Sequence, residues 1–403
     1  MLKEVLKQII LSQKAWLTPE EKEIQREQFD RFLTLPPFAY ILTGVRRSGK
    51  STLLKQIMRQ HACVNYFNFE DSRAAGFELS DFMTLEELFL EINGNNSILF
   101  FDEIQNVKEW ERFVREAVDR NKCLVITGSN ANMLSRELGT KLTGRHLDSA
   151  VFPFSYSEYL TYLDLTPSAQ TFESFLAQGG FPGYLNFGKG EMLSTLVSDI
   201  LFRDIFMRYN LRNQEVYKRI VQFLLSNVGK EISSNNLKNT FEIASTTSVL
   251  EFLSYLVDAY LLFLVPKYDT SLKVQVRNPK KIYAIDQGLV NFSSVSGSPD
   301  YGRLFENTIF LHLKRTGKEI WYFKGKKECD FIYRDSSKNI TAIQVCWQVD
   351  QLNLKRELDG IIEAMTELKL NYGTIITFDQ EDKIVQENFT INLIPAWKWL
   401  ILK

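Results

Sequence analysis

Gly44-Val45-Arg46-Arg47-Ser48-Gly49-Lys50-Ser51-Thr52 fits the phosphate-binding pattern G-x-x-x-x-G-K-[ST] at every specified position. Its flanks decide the fold. Residues 38–43 are a short apolar, β-prone run that reads as a buried strand, and residues 51–58 carry apolar side chains at helical spacing. Strand, glycine loop and helix in that order predict an α/β domain built on a parallel sheet. In such a loop consecutive backbone N–H groups point at phosphate oxygens, and glycine lets the chain approach without a side-chain clash. Gly44, Val45, Arg46, Arg47, Ser48, Gly49 and Thr52 then contribute mainly main-chain contacts. Lys50 neutralises the β- and γ-phosphates, and the Ser51 hydroxyl ligates Mg²⁺.

Residues 97–103, Ser-Ile-Leu-Phe-Phe-Asp-Glu, form a second apolar run that ends in two acids. A strand buried on both faces exposes acids only at its C-terminal end, where open α/β sheets place ligands. Asp102 is therefore the second Mg²⁺ contact, through water, and Glu103 is placed to activate or orient an attacking water. Residues 63–69 read as a further strand followed by Glu70-Asp71, for which a polar strand end and a place near the nucleotide are equal readings. Residues 124–130 read as another, ending in Ser129 and Asn130. Asn130, or Ser129, is the candidate sensor of the γ-phosphate. Arg136 and Arg145, the latter after Gly144, lie in a polar segment. Either is a candidate to stabilise charge on the transferring phosphate from a neighbouring subunit, and either reads equally well as a surface ion pair.

With 403 residues, 45% hydrophobic and 24% charged, the chain has the composition of a soluble protein of two or three domains. A net charge of -1 supplies no bulk attraction to nucleic acid or membrane, so any DNA contact needs a local patch. Cys63, Cys123, Cys329 and Cys346 show no C-x-x-C spacing and read as small core residues in a reducing compartment. No apolar run is long enough to span a bilayer and the first 14 residues lack an apolar signal core, so the cytoplasm is the expected location and no membrane contact is expected.

The order of motifs resembles the prokaryotic AAA-type P-loop ATPases that carry a C-terminal domain of unknown function, a family related to archaeal-type ATPases. The resemblance runs over nearly the whole chain. It rests on Gly44 to Thr52, Phe69-Glu70-Asp71, Phe101-Asp102-Glu103, Thr127-Gly128-Ser129, Gly144-Arg145, Phe152-Pro153-Phe154-Ser155-Tyr156-Ser157-Glu158-Tyr159 and Gly179-Gly180-Phe181-Pro182. Arg203-Asp204-Ile205, the run from Ile282 to Leu289 and Gly302-Arg303-Leu304-Phe305-Glu306-Asn307 continue it. It implies an AAA+ ATPase using ATP and Mg²⁺, followed by a winged helix and a restriction-endonuclease-like domain of the PD-(D/E)XK type. Adenine preference also comes from the resemblance, since no N-K-x-D guanine reader is present.

The layout expected is a helical arm over 1–36, the ATPase core over 37–152, a helical lid or linker over 153–212, a winged helix-turn-helix over 213–290 and a nuclease-like domain over 291–403. Within the fourth segment, helices are expected over 216–228, 233–241 and 245–265, the last with Ser248-x-x-Glu251 as a capping box and ended by Pro266. A hairpin over 273–277 and 281–285 follows. Lys267, Lys273, Arg277, Lys280 and Lys281 make this wing basic, but the third helix is strongly apolar, and DNA contact competes with a packing role. In the last segment a helix over 305–315, strands over 319–323, 329–334 and 340–347, a helix over 354–368 and a strand over 373–377 are expected. Glu306, Asp330 and Gln344 follow the nuclease pattern Glu, Asp, (E/Q)-x-K, with Cys346 at the lysine position. The site is expected to be vestigial, unless Lys324, Lys326, Lys327 or another lysine reaches in. Two functional classes stand: an ATPase that moves these domains on double-stranded DNA or a protein partner, as a monomer or homo-oligomer, and a low-turnover, nucleotide-locked scaffold.

Overall fold

The apolar run ahead of the phosphate loop forms β1 (Ala39–Thr43), all five residues of which are buried, as a strand covered on both faces requires. It joins β2 (Asn65–Asn68), β3 (Ile98–Asp102), β4 (Cys123–Gly128) and β5 (His146–Ala150) in a sheet ordered β2-β3-β4-β1-β5. All pairings are parallel. The computed structural model describes residues 1–15, 22–33, 35–95, 98–129, 144–293 and 300–402. The chain divides into two units, Met1–Phe152 and Pro153–Lys403.

In the first unit the sheet is covered by α1 (Lys3–Lys14), α2 (Lys50–Met58), α3 (Asp81–Asn93) and α4 (Trp110–Asp119). Alternation along each strand sends side chains to two cores. Ala39, Ile41, Phe67, Leu99, Phe101 and Ile126 pack with α1, α3 and α4. Tyr40, Leu42, Tyr66, Phe100 and Val125 pack with α2 and with Phe29 and Phe32 of the arm. The arm, expected to be helical over 1–36, is helical among its described residues only in α1 and in a short turn at Phe29–Phe32. Residues 16–21 lie outside the described residues, and residues 23–26 have no regular structure. Their polar groups are committed elsewhere: the Ile24 carbonyl and Glu23 carboxylate accept from Gln56 Nε2 of α2, at 2.6 and 2.7 Å. The edge strand β5 was not anticipated, because His-Leu-Asp-Ser-Ala has one large apolar residue and an edge does not demand more.

The second unit begins with helices Tyr156–Leu163, Ala169–Gln178, Pro182–Phe187 and Glu191–Asp199, the last continuing as a π-helical stretch, Ile200–Phe206. Gly179-Gly180 and Asp286-Gln287-Gly288-Leu289 meet here. Asp286 accepts from Gly180 N at 2.7 Å and Leu289 N at 3.1 Å, and a Cβ on Gly180 would stand 2.2 Å from the Phe154 carbonyl oxygen. Burial pushes the Asp286 carboxyl up to about 6, against those hydrogen bonds and the Arg315 charge.

Helix Gln214–Leu225, β6 (Glu231–Ile232), helices Ser234–Thr240 and Thr246–Asp258, β7 (Leu262–Pro266), helix Leu272–Arg277 and β8 (Lys280–Ala284) follow. The three strands form an antiparallel sheet, β6-β8-β7. Three expectations are corrected. The third helix stops at Asp258, because Tyr260 takes a left-handed φ of +58°, and residues 262–266, apolar at nearly every position, become a strand instead of the helix end. The partner of β8 is therefore β7, and the expected first hairpin strand, 273–277, is helical. The cap is Ser245, whose hydroxyl accepts from Ser248 N at 3.0 Å, rather than Ser248.

Helix Tyr301–Arg315 then leads into β9 (Glu319–Lys324), β10 (Glu328–Arg334), β11 (Ile340–Cys346), helix Leu354–Leu368, β12 (Tyr372–Thr377), β13 (Asp382–Gln386), β14 (Phe389–Pro395) and helix Ala396–Trp399. The sheet order is β13-β14-β12-β11-β10-β9. Cys123, Cys329 and Cys346 are buried, but Cys63 is exposed, contrary to its reading as a core residue. No described helix is long and apolar enough to cross a membrane.

Candidate nucleotide site

The loop after β1 takes backbone angles that explain its glycines: φ is +141° at Gly44 and +96° at Gly49. A Cβ on Gly44 would lie 2.2 Å from the Val151 carbonyl oxygen. Lys50, the first residue of α2, is buried and donates to the Gly44 and Val45 carbonyls, both at 3.0 Å. Behind the loop lies Arg26, a buried residue of the arm. It donates to the Ser48 carbonyl at 2.8 Å and to the Phe152 carbonyl at 2.7 Å, and a Cβ on Gly49 would meet its Nη1 at 2.7 Å.

Asp102, at the C-terminal end of β3, is brought to the loop by the parallel order. Its Oδ1 accepts from Ser51 Oγ at 3.2 Å and from Thr127 Oγ1, and its Oδ2 from the Tyr66 hydroxyl at 3.5 Å. Thr127 also accepts from Glu103 N at 2.9 Å. Burial and then the neighbouring Glu103 charge raise the Asp102 carboxyl, opposed by the hydrogen bonds from Thr127 and Ser51 and by the Lys50 ammonium. Burial likewise raises Tyr66. A hydroxyl and a carboxylate oxygen at this spacing are donors of the kind a hard divalent cation takes. Glu103 follows in the left-handed region, φ +54°, and its carboxylate accepts from Gln105 Nε2.

The remaining candidates fall differently. Asn130 and Arg136 lie outside the described residues. Ser129 is buried just beyond β4. Glu70 approaches Arg46, Oε1 to Nη1, at 3.6 Å, while Asp71 is engaged by Arg73 and Gln13, and Arg73 holds its carboxyl down at about 2. Arg145 precedes β5 and pairs with Asp119 at 2.9 Å, both side chains more than half exposed. Because β5 runs parallel to β1, in register from Ala39 with His146 to Thr43 with Ala150, Arg145 stands at the sheet edge opposite the phosphate loop. At about 3.3 Å per residue the two are separated by roughly 20 Å. Arg26, Tyr66 and Gln105 carry no motif. Thr127 had the one available signal, a polar residue near the C-terminal end of a core strand.

A second cluster forms in the other unit. Glu306 and Asp330 come together, but Gln344 turns away from their oxygens: its Oε1 accepts from Asp330 N at 3.2 Å and its Nε2 donates to Glu357 at 2.8 Å. The lysine that reaches in is Lys281 of β8. Lys324 pairs with Glu231 at 2.8 Å, and Lys326 and Lys327 give their backbone N–H groups to Glu363. Among the described residues no group of three or more His, Cys, Asp or Glu is arranged to hold a metal ion.

A family model described as an AAA domain matches residues 37–160, and one described as a domain of unknown function matches residues 169–299. An uncharacterized protein of Methanocaldococcus jannaschii is 32% identical over 397 residues, covering 91% of this chain and 88% of that one. An uncharacterized protein of Haemophilus influenzae is 29% identical over 360 residues, covering 84% and 88%. Among solved structures, AMPPCP-bound DnaA from Aquifex aeolicus covers 57% of this chain and 85% of its own at a TM-score of 0.27 and 11% identity. A signal transduction ATPase with numerous domains from Pyrococcus horikoshii covers 74% and 46% at 0.28 and 12%.

Proposed function

Because this chain belongs to one family with the Methanocaldococcus jannaschii protein and carries its phosphate loop in an AAA domain, we propose that it is a Mg²⁺-dependent ATPase. The observation that carries this reading is the convergence of Ser51, Asp102 and Thr127 beside a loop whose glycines take left-handed or extended positive φ angles. Backbone N–H groups of residues 44–52 and the Lys50 ammonium bind the phosphates. Ser51 and Asp102 hold Mg²⁺, which when bound neutralises charge on the β- and γ-phosphates. Glu103 orients the attacking water and takes its proton. Asn130 is the candidate sensor, and Arg145 is the candidate to act on a neighbouring copy.

Hydrolysis would then act on the rest of the chain. The order helix, strand, helix, helix, strand, helix, strand over 214–284 supports a winged helix whose last two strands are joined by the short helix Leu272–Arg277, and helix, three strands, helix, strand over 301–377, with Glu306 beside Asp330, supports a nuclease-like domain without cleavage. Double-stranded DNA and a protein are the two partner classes. Leu250, 56% exposed on helix Thr246–Asp258, favours the protein, since a helix reading bases offers polar groups. The scaffold reading draws on Gln105, which already occupies the Glu103 carboxylate.

The deciding experiment is ATP turnover by wild type and Glu103→Gln, with and without double-stranded DNA, alongside mass by light scattering. Turnover that the substitution abolishes while ATP stays bound is the expected result. ATP binding without turnover under any of these conditions favours the scaffold, and no ATP binding removes both readings.

A further inference from the structure

Lys281 is buried, its side chain 3% exposed, and its ammonium touches three carboxylates: Glu328 Oε1 at 2.7 Å, Glu306 Oε1 at 3.1 Å and Asp330 Oδ1 at 3.2 Å. The lysine belongs to β8, in the middle of the second unit. The acids belong to helix Tyr301–Arg315 and to β10. Further bonds join β8 to the same helix. Tyr283, two residues along and so on the same face of the strand, donates to Glu306 Oε1 at 2.6 Å. The Asn307 amide accepts from Ala284 N at 2.8 Å and donates to Ala284 O at 3.1 Å. On another side Gly229 closes in, and a Cβ there would lie 3.0 Å from Glu306 Oε2.

Glu306 and Asp330, their side chains 17% and 12% exposed, are withdrawn from water, and as carboxylates they need a cation between them, a divalent ion or an ammonium. The two exclude each other here. A metal bound at about 2.1 Å by oxygens of Glu306 and Asp330 would stand against the ammonium that those same oxygens already hold, and the repulsion between the cations would expel one of them. The lysine cannot drift far, because its strand is paired on both edges, with β6 and with β7.

We propose that Lys281 is the resident cation of this centre, a tethered counter-ion that fastens β8 to the C-terminal helix and sheet and keeps divalent metal out. The carboxylates are thereby a joint between two parts of the unit. The expectation of a site weakened by the loss of its lysine from position 346 is replaced by that of a site filled by a lysine from a strand 49 residues before Asp330.

The test is a Mn²⁺ titration of nucleotide-free, full-length protein, read by the electron paramagnetic resonance signal of the free ion. Wild type is expected to take up no Mn²⁺ that Asp330→Asn removes. Lys281→Ala is expected to take up one ion per chain, and adding Asp330→Asn to it weakens that uptake at least tenfold. Melting curves supply the second readout. Lys281→Met lowers the unfolding midpoint by roughly 5–15 °C, because it strands the acids, and adding Glu306→Gln recovers part of that loss. Uptake by wild type that Asp330→Asn abolishes overturns the proposal. So does a Lys281→Met protein that melts with wild type, or a double variant no more stable than Lys281→Met. If neither Lys281 single variant folds, a folded Lys281→Met/Glu306→Gln supports the proposal and an unfolded one overturns it.

Discussion

Asp102 accepts hydrogen bonds from the hydroxyls of Ser51, Thr127 and Tyr66, so its orientation is set by the protein before any ligand arrives. Thr127 serves twice, since it also accepts from Glu103 N. Thr127→Val keeps the shape and removes both bonds. Turnover is expected to fall about 10- to 100-fold, the equivalent of 1.5–3 kcal/mol, with ATP affinity changed less than about threefold, as separated by single-turnover kinetics and fluorescent-nucleotide titration. Arg26→Met, by contrast, frees the Ser48 carbonyl behind the loop and is expected to weaken nucleotide affinity more than the rate of the bound complex. Asp286 supplies a pH test. Its carboxyl titrates at about 6 in the folded chain against an ordinary 3.8, so the folded state binds the extra proton between those values. The resulting stability is complete below about 3.8 and is lost as pH rises through 6. The difference in unfolding free energy between wild type and Asp286→Asn is therefore expected to drift against wild type by on the order of 2–3 kcal/mol over that window. A flat difference would contradict the burial of the carboxylate.

Strand β5 places Arg145 at the far edge of its own sheet, which makes a sharp statement about that residue. Arg145→Ala is expected to leave turnover unchanged in dilute protein, and to lower it only where turnover per chain rises with concentration. A loss at every concentration would mean that the residue acts within its own chain. Helix Leu354–Leu368 makes another. Gly360 faces β10 so closely that a Cβ would lie 2.2 Å from the Glu328 carbonyl oxygen, so Gly360→Ala is expected to cost about 1–3 kcal/mol in a denaturant melt.

The elements that the sequence made legible are those in which periodicity and chemistry coincide. The strand before the loop and the strand before Asp102-Glu103 are apolar throughout and end in functional groups, and the helix expected over 354–368 spans those residues. Residues 262–266 were misread because an apolar run following an apolar helix has no periodicity of its own, and only the left-handed Tyr260 separates them. The two strands after residue 377 were not anticipated either: 382–386 is an edge with little burial. In the site, Ser51 and Asp102 follow from local pattern. Arg26 and Lys281 do not, since each acts across long sequence separations on backbone or carboxylates that no spacing rule connects to it.

Division of the chain after Phe152 predicts that unfolding is not a single transition. Calorimetry of the whole protein is expected to resolve two, and ATP with Mg²⁺ to raise only the one belonging to residues 1–152. At a ligand concentration 100 times its dissociation constant the added stability is about 2.7 kcal/mol. A joint rise of both transitions would show that the two units unfold together.

The cysteines carry a practical consequence. Burial pushes the Cys123 thiol up to about 12 and the Cys346 thiol to about 11, and raises Cys329 as well, while Cys63 is exposed between α2 and β2. A maleimide dye added at neutral pH to the folded, unaltered chain should therefore attach at residue 63 alone. The molecule comes with its own single reporter position, on the nucleotide-binding half, ready for anisotropy or energy-transfer work without a cysteine being engineered in or out.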